Sequence, residues 1–126
     1  MKNDNKEMVY LAVAYSHPNK QIRKKRFEIV NEIAATLMRE GLHIYSPISH
    51  THPIALAGDL PTHWDFWKLY DETFLKCCKK LIVLKLDGWR ESKGVTGEIQ
   101  IATELDIPIE YIEYCGEGKY IKSNEI

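Results

Sequence analysis

Cysteine is scarce in this chain: there are three in 126 residues, and two of them are adjacent, Cys77-Cys78. Such a set cannot staple a disulfide framework, and it suits a reducing compartment. A domain of this length can bury a core unaided, so it needs neither disulfides nor a structural metal. Long apolar runs are missing too; none approaches the roughly 20 residues that span a bilayer. The opening MKNDNKEM lacks the apolar centre of a secretory signal. Excess charge of either sign is absent, with 17 Lys and Arg against 18 Asp and Glu, a net of −1. That balance gives no overall pull towards nucleic acid or an acidic membrane. Repeats, low-complexity tracts and domain boundaries are also lacking. The expectation is a cytoplasmic protein with one domain over 1–126, of which 1–7 and 115–126 are loose tails. Its 44% hydrophobic and 28% charged residues are the mix of a soluble globular domain.

What is present is an alternation of strand and helix patterns. MVYLAVA, 8–14, is a short apolar run with polar flanks, the mark of a buried strand. His17-Pro18-Asn19 makes a turn and a helix start. Over 20–40, Ile22, Phe27, Val30, Ile33, Ala34, Leu37 and Met38 recur at helical spacing, and Gly41 ends the helix. LHIYS, 42–46, is a second strand. Residues 47–61, with three prolines, read as a long loop of the kind that often carries function. A helix over 62–79, a strand over 80–86, a loop, a helix over 94–105 and a strand over 107–113 complete the pattern. This order predicts an α/β three-layer sandwich, a flavodoxin- or Rossmann-like parallel sheet with strand order 2-1-3-4. Ligands bind such sheets at the carboxyl ends of the strands, beside the switch in strand order.

Three segments leave that rim: Tyr15 to Pro18, the 47–61 stretch, and Asp87 to Gly94. In the last, Ser92 can cap a helix, Gly94 permits close backbone approach, and Lys93 adds positive charge. Unpaired N–H groups at a helix start form an anion seat fit for phosphate. An ordinary capped helix is the plainer reading. Glu98 follows one turn later among Val95, Ile99 and Ile101, either partly buried near a ligand or simply solvated. Trp64, Trp67, Asp71 and Leu75 share one face of the preceding helix. The tryptophans could floor a pocket for a flat base or belong to the core. Asp71 needs a partner if that face turns inward.

Other features carry less. His50 and His52 flank Thr51, with Asp59, His63 and Asp65 near. An isolated His-x-His is a weak metal signal, so we expect no metal and assign both histidines to ordering the stretch or touching substrate. Arg23 to Arg26, with Lys20, read as the solvated face of an amphipathic helix. Cys77 and Cys78 have no neighbouring base that would activate a thiol.

Three stretches together carry a resemblance: VYLAVAYSHP at 9–18, SPISHTHPIA at 46–55, and WDFWKLYDETFLKCCKKLIVLKLDGWRESKGVTGEIQIA at 64–102. Over about 10–105 the chain resembles the nucleoside 2-deoxyribosyltransferase-like superfamily, in a small bacterial and phage branch of it. The resemblance implies cleavage or transfer at an N-glycosidic bond of a nucleotide or nucleoside, without a cofactor, in a homo-oligomer of two or more chains. In the characterised relatives, a glutamate in a Gly-x-x-x-Glu pattern attacks the sugar; Gly94 to Glu98 matches it. Asp71 matches an aspartate that aids proton transfer, and Tyr10 a first-strand tyrosine that orients the glutamate. Ser92 matches the serine of the 2'-deoxynucleoside 5'-phosphate N-hydrolases, where enzymes acting on free nucleosides often carry aspartate. Charge agrees: a carboxylate there would repel phosphate, whereas a hydroxyl can donate to it. The loop AYSHP departs from the glycine-rich loop of several relatives, leaving Ser16 as the candidate contact on that side. Trp64, Trp67 or Trp89 would stack on the base. Two other classes stay open: a non-catalytic module binding a nucleotide or ADP-ribose-like signal, and a hydrolase of a ribosylated nucleotide signal.

Overall fold

The computed structural model describes residues 7–124. It contains a five-stranded sheet of order β2-β1-β3-β4-β5. The strands are β1 (Met8–Val13), β2 (His43–Tyr45), β3 (Lys80–Leu84), β4 (Ile109–Gly116) and β5 (Lys119–Ser123). β1 to β4 are parallel, and β5 returns antiparallel to β4. The helices are α1 (Lys20–Arg39), α2 (Pro47–Gly58), α3 (Trp64–Leu75) and α4 (Lys93–Glu104). The α/β three-layer architecture and the 2-1-3-4 order expected from the sequence are present, extended by a fifth strand.

Side-chain alternation along β1 divides the core. Val9, Leu11 and Val13 point to one face, where Ile29, Val30, Ile33 and Leu37 of α1 cover them. Tyr10, Ala12 and Ala14 point to the other, beneath Leu75 and the α4 residues Val95, Ile101 and Ala102. The face under α3 and α4 thus carries two alanines where the α1 face carries leucine and valine.

Two expectations are corrected. Residues 47–58 are a helix, not a loop. Of the three prolines that suggested a loop, Pro47 stands at the first helical position, where its missing N–H costs nothing, and Pro61 lies beyond the end. Only Pro53 is interior and forgoes a ladder bond. Asp59 closes the helix in the left-handed region, φ 54°.

The stretch from 115 is no loose tail through its described residues either. Glu117 and Gly118 both have positive φ, 52° and 75°, and make the tight turn between β4 and β5. The turn is clasped to α1: Gly118 N–H and the Tyr114 hydroxyl donate to Glu32 Oε1 at 3.0 and 2.7 Å, and Thr36 Oγ1 donates to the Gly118 carbonyl at 2.6 Å. These contacts are polar and come from distant residues, so hydrophobic patterning gave no sign of them. The expected tail over 1–7 lies, except for Glu7, outside the described residues.

Candidate active site

The sheet opens a cleft of about 250 Å³ at the carboxyl end of β1. Four segments wall it: the end of β1 with Tyr15 and Ser16, the inner side of α2, the first half of α3, and the start of α4. Trp64, Trp67 and Asp71 line it from α3, as their shared helical face requires. Ser92, Lys93, Gly94 and Glu98 line it from α4.

Glu98 is 5% exposed. The hydroxyl of Tyr10, itself wholly buried, donates to Glu98 Oε2 across 88 residues of chain. Asp71 is 8% exposed and lines the same cleft. No hydrogen bond from a described residue reaches its carboxyl. Burial, then the neighbouring Asp71 charge, pushes the Glu98 carboxyl up to about 8, partly offset by the Tyr10 hydrogen bond. Burial alone lifts Asp71 to about 7. Tyr10 is driven well above the usual phenol range by burial and then by Glu98, so it remains a donor. Near neutral pH this is a carboxyl pair in which at least one member holds a proton.

The tryptophans serve as both wall and packing. Trp64 lies flat on α4 where Gly97 leaves room: a Cβ at Gly97 would come within 2.4 Å of Trp64 Cζ2. A Cβ at Gly94 would make only ordinary contacts, at 3.7 Å to Trp64 and Ser92. The glycine demanded by packing is therefore Gly97, which brings α3 and α4, and with them Asp71 and Glu98, close together. Trp67 donates from Nε1 to the Pro61 carbonyl at 2.8 Å.

At the mouth, Ser92 Oγ accepts from Val95 N–H at 3.1 Å. That leaves the N–H groups of Lys93 and Gly94 and the Ser92 hydroxyl proton facing the cleft end of α4. Lys93 adds a positive charge and Glu91 a negative one, so the seat rests on N–H groups and the helix dipole rather than on net charge. Ser16 lines the same mouth, but its hydroxyl is engaged with the Thr62 carbonyl.

Two sequence candidates stand elsewhere. Trp89 packs on Tyr111, ring centroids 5.7 Å apart, between Lys85 and Arg90 in a shallow depression away from the cleft. His50 is exposed on the outer side of α2, beside Met38 and Tyr45. One helical offset separates it from His52, which is buried and lines the cleft. Among the described residues, no group of three or more His, Cys, Asp or Glu is placed to hold a metal ion.

Sequence reasoning missed Arg23 and Arg26. Lys20, Lys24 and Lys25 are exposed, whereas Arg23 and Arg26 are half-buried. Arg23 donates to the His17 carbonyl. Arg26 donates to the carbonyls of Tyr15 and Ser16, at 3.3 and 3.2 Å, and of Asp87, at 3.0 Å. It thereby ties the loop after β1 to the loop after β3. Their i, i+3 spacing on the edge of the apolar stripe was the available signal.

The chain belongs to a family described as a domain of unknown function, DUF1937, whose profile matches residues 7–113. That span takes in all the cleft residues. No curated protein matches the sequence.

Proposed function

We propose that the protein cleaves or transfers an N-glycosidic bond of a nucleotide or nucleoside, by way of a glutamate nucleophile. The observation that carries this reading is the buried Glu98 carboxyl, hydrogen-bonded by Tyr10 and paired with Asp71 inside one cleft. Burying two carboxyl groups together destabilises the fold, so the arrangement calls for a reason beyond packing. The likeness of Gly94 to Glu98, Asp71, Tyr10 and Ser92 to the deoxyribosyltransferase-like pattern points to the same chemistry.

In this mechanism a Glu98 oxygen attacks the anomeric carbon as the bond from that carbon to the base nitrogen breaks. The bonding pair leaves with the base, which takes a proton from the Asp71 carboxylic acid. A covalent glycosyl ester on Glu98 results, as in retaining glycosidases. Water then attacks the same carbon, Asp71 recovers a proton from it, and Glu98 leaves as carboxylate. A second base in place of water gives transfer. The N–H groups that open α4, with Ser92, would hold the 5' end of the sugar, and a 5'-phosphate suits them best. Trp64 and Trp67 offer stacking surface for the base, worth about 1–3 kcal/mol per base. A homo-oligomer is part of the proposal: Phe66 and Leu69 stand 46% and 76% exposed on α3.

The test is to incubate the purified protein with a panel of nucleosides and their 5'-monophosphates and to follow freed base by chromatography. Base release that vanishes in Glu98→Gln while the fold survives supports the reading. A protein that binds nucleotides yet frees no base from any of them is instead a binding module.

A further inference from the structure

The carboxyl pair and the α4 terminus leave one side of the cleft without a task. That side is α2, which presents Ile48, Thr51, His52 and Ala55. His52 is 6% exposed. Phe27 stacks on its ring at 4.3 Å and 29°, and Tyr15 meets it edge-on at 5.4 Å. Its Nδ1 is hydrogen-bonded to the Tyr15 hydroxyl. The ring is thus held by Phe27 against its face and by Tyr15 through both an edge contact and a hydrogen bond.

The protons of this pair can be assigned from its neighbours. His52 Nδ1 is the hydrogen-bond partner of the Tyr15 hydroxyl among the described residues, and the nearby positive charge of Arg23 draws the lone pairs of the phenol oxygen towards itself and turns the hydroxyl proton away. Burial, its largest influence, keeps Tyr15 protonated. Its single proton therefore goes to His52 Nδ1. Burial, and then Arg23, lowers the His52 pKa, which favours the neutral ring. A neutral imidazole that accepts at Nδ1 carries its proton on Nε2. No described residue accepts from that Nε2, and His52 lines the cleft.

We propose that His52 is the residue that reads the heterocycle: its Nε2–H, fixed in that tautomer by Tyr15, donates to a ring nitrogen or carbonyl acceptor on the base. This rests on the glycosidic reading for the orientation of the ligand. With the anionic end at α4 and the sugar between Glu98 and Asp71, the remaining wall of Ile48, Ala55 and His52 meets the flat, largely neutral end. A fixed donor selects by rejection, because a base presenting an N–H there would leave two donors facing each other, unpaired.

The experiment uses the full chain and three variants, His52→Ala, His52→Gln and Tyr15→Phe. Base release from the 5'-monophosphate panel and binding of free adenine, guanine, cytosine and thymine by calorimetry are measured, with inorganic phosphate as control. In His52→Ala, kcat/KM and base binding are expected to fall roughly ten- to hundredfold, with phosphate binding unchanged. His52→Gln, which retains an N–H donor, is expected to restore most of the loss. Tyr15→Phe is expected to lose less than His52→Ala and to change the order of preference among bases. Rescue by glutamine with unaltered phosphate binding separates reading the base from merely holding α2 in place. Base binding that is the same in His52→Ala as in the native protein overturns the proposal. So does glutamine as weak as alanine in a folded variant, or native protein that binds no base. If no nucleotide loses its base but base binding is present and drops in His52→Ala, the glycosidic reading falls and the role of His52 stands.

Discussion

The two faces of the sheet are built from the same strands and differ in what they bury. Between β1 and α1 lie Val9, Leu11 and Val13 of the strand and Ile29, Val30, Ile33 and Leu37 of the helix, an apolar set. Beneath α3 and α4 lie Tyr10, Ala12 and Ala14, covered by Leu75 and joined by the buried Asp71 and Glu98 of those helices. The first face stabilises by removing hydrocarbon from water. The second gives up part of that gain: its two carboxyl groups are desolvated at the cleft. One face holds the fold, and the other carries what the fold supports at some cost in stability.

Glu98→Gln tests that contrast most sharply. Base release is expected to fall roughly a thousandfold or more, while the melting temperature rises. In the folded protein the Glu98 carboxyl titrates at about 8, against about 4.5 for a free glutamate. Between those values the folded state holds more protons than the unfolded, so stability falls as pH rises through that range. The neutral amide escapes this loss. Its advantage is therefore expected to be greater at pH 8 than at pH 5 by roughly 2–4 kcal/mol, read by denaturant titration at both pH values.

Leu37→Ala on the other face is expected to do the reverse. Leu37 is 1% exposed, and its truncation is expected to cost about 2–5 kcal/mol with kcat per folded molecule unchanged. If it lowered kcat as Glu98→Gln does, the division between the faces would not hold.

A pH profile tests the carboxyl pair itself. The proposed reaction needs Glu98 ionised and Asp71 protonated, yet Glu98 titrates at about 8 and Asp71 at about 7. The reactive arrangement is then the minor one, roughly a tenth of the singly protonated pair. kcat/KM is expected to trace a narrow bell between about pH 7 and 8, rising as the pair loses its first proton and falling as it loses its second. Asp71→Asn is expected to remove the alkaline limb and to lower kcat roughly a hundredfold.

Gly97→Ala probes the join between α3 and α4. The added methyl meets Trp64 at 2.4 Å, so the indole must move. A loss of about 1–3 kcal/mol is expected, together with a shift in tryptophan fluorescence. Tyr10→Phe is expected to have the smallest effect on folding. It removes one hydrogen bond that holds the Glu98 pKa down, so the alkaline limb of the bell, set by the higher of the two values, is expected to move to higher pH.

Much of this was legible because the signals are local. The apolar run at 9–13, the stripe along α1 and the Ser92 cap of α4 are set by period and terminus chemistry within a few residues. α2 was hidden because proline marks both loops and helix starts, and only the backbone reveals which. His50 and His52 looked equivalent in sequence, and Trp89 looked as available as Trp64. Their separation depends on which way each element faces its neighbours.

The sequence by itself determined the alternation of strands and helices, the start of α4 and the set of groups available for chemistry, since each depends on contacts made within a turn or two. The tertiary structure alone decided that Tyr10 would meet Glu98 across 88 residues and that Asp71 would share their cleft. It also decided that Gly118 would be clasped to α1. Burial and its consequences for protons arise only when distant segments exclude water from one another, which no stretch of chain can do alone.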